Sequence, residues 1–290
     1  MMFFFLEKIF KRALGWSCDF WNIKLLRKLP CFYYSGEPNV GDSLNVDLLE
    51  MLSGKKIYLI KTKYFKHVLS TGSIIHHANH KSQIFGSGLI SDCIVPKSKK
   101  FGTVAALRGE YTKAHFVKYF KVAMKNNIPL GDPAVLLPKY FELPESSKQN
   151  FLGIIPHYVD KADPMLLEFI KKNENEVCLI DIQKDLNGFL KDISQCQFVI
   201  SSSLHGLIIS DAYRIPNRWV RFSDRLVGGD FKFLDYYSTT SNLYPNCFIL
   251  KSETDFQNIF DNLYSAACVN DYTGDKHELE KSFQDLLSRI

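Results

Sequence analysis

From residue 31 onward, short apolar runs alternate with longer segments whose apolar positions recur at helical spacing, the signature of an α/β protein. Cys31–Tyr34 reads as a strand running into a Gly/Pro/Asn loop. A helix is then expected over Ser43–Leu52. Further strands are predicted at Ile57–Ile60, Ser73–Ile75, Gln83–Phe85 and Thr103–Leu107, and a helix at Tyr111–Lys125. Pro138–Asn150 is polar, holds two prolines and has no periodicity, which predicts a linker. Beyond it the alternation restarts. Strands are expected at Phe151–Ile155, Val177–Ile180, Phe198–Ser201 and Arg218–Phe222, and helices at Pro164–Lys172, Leu186–Ser194, Leu204–Tyr213, Asp255–Ala267 and His277–Ile290.

This order predicts an α/β chain with two Rossmann-like domains facing a cleft. The divisions are an amphipathic segment at 1–30, a first domain at 31–140, a second at 150–270 and a C-terminal helix at 271–290. Such sheets bind ligands beyond the carboxyl ends of their strands, so the chemistry is sought in the loops that follow strands.

At the N-terminus, Met1–Leu6 is apolar, but Glu7, Lys8, Lys11 and Arg12 interrupt it well short of the ~20 residues of a membrane span. No signal-peptide cleavage pattern follows. Trp16–Leu29 mixes Trp16, Phe20, Trp21, Leu25 and Leu26 with Lys24, Arg27 and Lys28. That pattern suits an amphipathic helix, lying either on an anionic membrane surface or on its own domain.

Composition narrows the functional classes. A net charge of +5 with scattered basic residues suits a small anionic ligand or an anionic membrane face, and lacks a nucleic-acid footprint. Seven cysteines without CxxC or metal-type spacing suggest reduced, mostly buried thiols in a cytosolic protein, with no metal centre.

The strongest local signal is Phe198–Tyr213. A buried strand runs into Ser201-Ser202-Ser203 and directly into a helix carrying His205 and Gly206. Serine hydroxyls can cap that helix, and its N–H groups and positive dipole end can hold a phosphate or carboxylate beside His205. The bland alternative is a serine-capped helix with a structural histidine. Asn39-Val-Gly-Asp42 opens the first long helix. There Asp42 is either a cap or a ligand contact, and Asn39 with Gly41 permits close backbone approach. Gly86-Ser-Gly88 follows a strand and is a turn or a close-approach loop. Arg108 ends a strand, where it can clamp an anion or form a surface ion pair. Asp132 lies in a Gly-Asp-Pro turn, and His157 follows a strand end at Pro156.

Together and in order, Asn39-Val-Gly-Asp42, Gly86-Ser-Gly88, Arg108-Gly109, Gly131-Asp-Pro-Ala134, Gly153-Ile-Ile-Pro-His157 and Ser202-Ser-Leu-His-Gly206, with Ile215-Pro216 downstream, resemble the polysaccharide pyruvyl transferases over residues 31–222. The resemblance implies a GT-B-like pair of Rossmann domains, phosphoenolpyruvate as donor and a pyruvate ketal on a sugar as product. It identifies Arg108 as an anion-binding arginine. Many members carry an arginine where this chain has Ser203, and Arg214, Arg221 and Arg225 are candidates to supply that charge.

The resulting expectations assign catalysis to His205, Asp42 and His157. His205 is the donor-site acid or phosphate ligand, Asp42 the base for the acceptor hydroxyl, and His157 an auxiliary. Substrate binding falls to Arg108, Ser202, Ser203, Gly206, Asn39, Gly86, Gly88 and Asp132. No cofactor is expected beyond phosphoenolpyruvate as co-substrate, and no metal or nucleic acid. The other partners are a sugar or lipid-linked oligosaccharide acceptor and a membrane surface, which suits a cytoplasmic protein peripheral at the inner face of the membrane. The competing readings are a GT-B glycosyltransferase using a nucleotide sugar, and an inactive scaffold of polysaccharide assembly.

Overall fold

A computed structural model describes residues 2–94, 98, 100–120, 128–145 and 150–290. Helix α1 (Met2–Phe20) runs into a π-helical turn at Trp21–Leu25. The first α/β unit follows with β1 (Leu29–Cys31), α2 (Val40–Ser53), β2 (Ile57–Leu59), β3 (His67–Leu69), β4 (Ser82–Phe85), β5 (Val104–Ala106) and α3 (Glu110–Phe120). A 3-10 turn at Pro133–Leu136 leads into the short α4 (Leu137–Tyr140). The second unit holds β6 (Asn150–Ile155), α5 (Pro164–Lys172), β7 (Val177–Leu179), α6 (Leu186–Ser194), β8 (Cys196–Ser201), α7 (Leu204–Ala212) and β9 (Asn217–Arg221). It ends with α8 (Phe231–Tyr237), β10 (Phe248–Ile249), α9 (Glu253–Asp261), α10 (Leu263–Ala266) and α11 (Lys276–Leu287).

Both units form five-stranded parallel sheets, in the orders β2-β1-β3-β4-β5 and β7-β6-β8-β9-β10. Counted within each unit, both orders are 2-1-3-4-5. The switch points, where successive crossovers leave in opposite directions, therefore lie between β1 and β3 and between β6 and β8. Ligand crevices open at such points. The central strands are apolar on both faces, as parallel strands covered by helices must be: Leu152, Ile154, Val199 and Ile200 are fully buried.

One hydrophobic cluster runs from β1, α2 and Phe85 through α6 and α7 to α11. The last helix returns to the first unit, where Phe283 meets Phe85 at 4.8 Å between ring centroids and Gln284 Nε2 donates to Leu52 O at 2.8 Å. The two sheets thus share a core.

Several elements differ from expectation. The strand expected at Ser73–Ile75 is instead β3 at His67–Leu69. Gly72, with φ +119°, turns the chain out of the sheet, and Ile75–His77 is a 3-10 turn. The expected linker begins as α4, whose Leu137 is fully buried, and Tyr213 Oη donates to Phe141 O at 2.7 Å. Residues 146–149 of that linker and 121–127 of the expected helix Tyr111–Lys125 lie outside the described residues. The single helix expected at Asp255–Ala267 is broken at Asn262 into α9 and α10. Helix α8 and the edge strand β10 had no counterpart in the pattern.

Candidate active site

The two switch points face one another across a cavity of about 310 Å³. From the first unit come Asn39 and Asp42 at the start of α2, Gly72 and Ser73 after β3, and Tyr34, His76 and His77. From the second come His157 after β6, Ser203 and His205 at the start of α7, Tyr158, Arg225 and Lys232.

Asn39 is the N-cap of α2, its side chain accepting from Gly41 N at 2.9 Å. This frees Asp42, the expected alternative cap, to point into the cavity from the first turn. Burial raises the Asp42 carboxyl to about 7, against the opposing pull of Lys232. At the start of α7, Ser203 stands at the N-cap position but makes no side-chain cap bond. The expectation that the serines cap this helix through their hydroxyls is corrected. Ser201 Oγ accepts from Ser203 N at 3.0 Å and Ser202 Oγ accepts from His157 N at 2.9 Å. The first N–H groups of a helix have no intrahelical acceptor, so this end keeps its capacity for an anion.

His205 is packed between the two units. A Cβ at Gly41 would lie 1.8 Å from its Nδ1, so only glycine lets α2 approach the imidazole this closely. Its Nε2 is buried, has no hydrogen-bond partner, and lies 3.9 Å from Asp132 Oδ2, itself buried and unpartnered. Asp132 Oδ1 accepts from Ala134 N at 3.0 Å. Burial, with Arg108 and Lys232 adding repulsion, lowers His205 to about 3, and burial likewise raises Asp132 to about 6. His157 is lowered to about 4 by burial and then by Lys232. Both imidazoles are thereby held neutral near pH 7.

Arg108 does not line the cavity. It is fully buried: Nε donates to Asp235 Oδ2 at 2.8 Å, one terminal nitrogen to Ser73 Oγ at 2.5 Å and the other to Leu89 O at 2.7 Å. Asp235 Oδ1 and Oδ2 also accept from Thr112 N and Oγ1 at 2.8 and 2.7 Å. The expected anion clamp is thus a buried ion pair, because Asp235 on α8 reaches the arginine first. Since α8 also carries Lys232, the pair fixes the lysine over the cavity. Gly86 and Gly88 lie behind the wall as well. A Cβ at Gly88 would fall 2.3 Å from Arg108 Cζ, and one at Gly86 (φ +71°) 2.4 Å from Pro133 Cδ. Ser202 and Gly206 are likewise absent from the lining, Gly206 being pressed on Ser201 Oγ at 2.4 Å from a Cβ position. Asp132 stands behind His205 rather than in the cavity.

Among the three downstream arginines, Arg214 pairs with Asp271 and Arg221 with Asp230, both away from the lining. Arg225 reaches the rim but pairs with Asp160 at 3.1 Å. Lys232 is the cation that sequence reasoning missed. Among the described residues it pairs with no carboxylate, and burial first, then Arg108, lowers it to about 8. Among the described residues, no group of acidic, His or Cys side chains is arranged to hold a metal ion.

A family model described as polysaccharide pyruvyl transferase matches residues 39–224. The chain belongs to the polysaccharide pyruvyl transferase family. It is similar to an uncharacterized protein, L143, of Acanthamoeba polyphaga mimivirus, at 36% identity over 214 residues, 71% of this chain and 72% of that one. It is also similar to the succinoglycan biosynthesis protein ExoV of Rhizobium meliloti (strain 1021), at 26% identity over 226 residues, 74% of this chain and 66% of ExoV. The pyruvyl transferase match begins at the cap of α2 and ends after β9, so it takes in Asp42, Arg108, His157 and His205 but stops short of Lys232. Lys232 follows Gly228-Gly-Asp-Phe231, a stretch with no helical period of its own. The signal available in the sequence was a lysine soon after a Gly-Gly pair.

Proposed function

We propose that the protein transfers the pyruvyl group of phosphoenolpyruvate to hydroxyls of a surface-polysaccharide sugar, forming a pyruvate ketal. The observation that carries this reading is the uncapped start of α7, with Ser203, His205 and Lys232, facing the Asp42 carboxyl across one cavity. We read the two sheets as two Rossmann-like domains, 31–140 and 150–270, in a GT-B-like arrangement, with donor on the second and acceptor on the first.

Phosphoenolpyruvate carries a carboxylate and a phosphate. The α7 N–H groups and the Lys232 ammonium supply the positive potential for one or both. A sugar hydroxyl attacks C2 and loses its proton to Asp42, whose carboxyl near 7 is matched to that transfer. C3 takes up a proton. An anion bound beside His205 favours its charged form, and Asp132 behind Nε2 then holds the imidazolium, making His205 the acid. Phosphate leaves from C2, and a second sugar hydroxyl attacks the same carbon to close the ketal, releasing its proton. The net products are the ketal and inorganic phosphate, without a cofactor. His157 lines the same cavity and assists the proton transfers. Tyr34, Tyr158, His76 and His77 line the same cavity, where aromatic and imidazole rings can pack against a sugar. A lipid-linked acceptor suits a cytoplasmic enzyme at the inner face of the membrane.

The test is a coupled assay of inorganic phosphate release with mass spectrometry of the sugar product. The expected result is phosphate release that requires phosphoenolpyruvate and acceptor together, with a pyruvate ketal on the product. Turnover with a nucleotide sugar instead would favour the glycosyltransferase reading. No turnover with either donor, where a surface polysaccharide still depends on the intact protein, would favour the scaffold.

A further inference from the structure

Helix α1 is anchored along one side and bare along the other. On the anchored side, Asp19 is fully buried and accepts from Lys61 N and Thr62 N at 2.9 Å each, from Tyr58 Oη at 3.1 Å and from Thr62 Oγ1. Gly15 lies against Thr62, its Cβ position 2.9 Å from Cγ2. On the other side Phe10, Leu14, Trp21 and Leu25 are 67%, 57%, 58% and 55% exposed. Their spacing of four, seven and four residues stacks them on one helical face, nearly opposite Asp19. These four side chains contribute nothing to the core.

Its surroundings are cationic. Arg12, Lys24 and Arg27 are exposed, and Lys11 is paired with the neighbouring carboxylate of Glu7 at 2.6 Å. Asp19 is consumed by the anchor. The adjoining loop adds an exposed Lys61 and Tyr64, whose ring lies 5.9 Å from the Arg12 guanidinium. An apolar strip framed by cations is complementary to an anionic bilayer. Two copies of the chain apposed on this face would bring like charges together. Among the described residues no helix is long and apolar enough to cross a membrane, so this one would lie in the interface.

We propose that the outward face of α1 and its π-helical extension docks the protein on an anionic lipid bilayer. This inference stands apart from the transfer reaction, and its test needs no turnover. The full chain is mixed with vesicles of phosphatidylcholine alone, or with about a third phosphatidylglycerol, and followed by flotation and tryptophan emission. Trp16 and Trp21 are exposed while Trp219 is buried, so emission reports mainly on this segment. The expected result is co-flotation and a blue shift with the anionic vesicles, weakened by salt. A Phe10→Glu/Trp21→Glu variant and an Arg12→Glu/Lys24→Glu variant, each with an unchanged thermal midpoint, should bind at least roughly tenfold more weakly. Equal binding to both vesicles, binding unaffected in both variants, or no binding at all overturns the proposal. So does a wild-type dimer in sedimentation that the first variant dissolves, which would make the occupant a second copy.

Discussion

Two helix starts, α2 and α7, occupy equivalent places in two sheets of the same strand order, yet they are finished in opposite ways. The start of α2 is closed: Asn39 caps it, Val40 N donates to Ile182 O at 2.8 Å, and the first turn carries Asp42. The start of α7 is open: Ser203 caps nothing with its side chain, and His205 and Lys232 stand beside it. Each helix start is positive by its dipole. At α2 the carboxyl offsets that potential, whereas at α7 a lysine adds to it. One fold position used twice thus yields a proton acceptor on one wall and an anion seat on the other, the division of labour that joining a hydroxyl to an anionic donor requires.

Removing the group shared by both walls should have the largest effect. His205→Ala is predicted to lower turnover on the order of 10²–10⁴-fold while circular dichroism stays native. An activity within a few-fold of wild type would make His205 a packing residue between Gly41 and Asp132. Next comes the strut behind the open wall. Arg108→Ala leaves Asp235 buried and unpaired, which typically costs about 3–5 kcal/mol. Urea denaturation measures it, and a near-zero change would remove the claim that this pair fixes α8.

Smaller effects separate the walls. Lys232→Ala is predicted to weaken donor binding by about ten- to a hundredfold, the worth of one charged hydrogen bond, read by calorimetric titration. The remaining effects lie in pH. The Asp42 carboxyl is raised from 3.8 to about 7, so its contribution to stability is lost as pH rises from 4 through 7. Asp42→Asn should therefore raise the thermal midpoint at about pH 8 and leave it unchanged at about pH 4. His205 and His157 are lowered from 6.5 to about 3 and about 4, so stability is complete above 6.5 and falls as pH drops toward those values. A His205→Gln variant should flatten that acid limb, and an acid limb identical to wild type would argue against a neutral buried imidazole.

Most strands and the helices that flank them could be read from period and punctuation, because the core of a parallel sheet is written as continuous apolar runs. The elements that could not be read are those whose reason is tertiary. Helix α8 exists because Phe233, Tyr236 and Asp235 find buried partners, and β10 because it pairs with β9. The site shows the same division. Asp42, His157 and His205 follow strands at switch points, and that position together with the ordered motifs around them singles them out in the sequence. Arg108 and Gly88 were marked too, but sequence could not tell an arginine aimed into a cavity from one seized by Asp235, 127 positions away. Lys232 became visible only once that pair had fixed its helix.

The most direct test of the contrast between the walls is calorimetric titration of phosphoenolpyruvate into the wild type, Lys232→Ala and Asp42→Asn near neutral pH. Binding is expected in the wild type, lost or sharply weakened in Lys232→Ala, and retained or tightened in Asp42→Asn, where a neighbouring negative charge is gone. Equal loss in both variants, or undiminished binding in Lys232→Ala, would contradict an anion seat at the open start of α7.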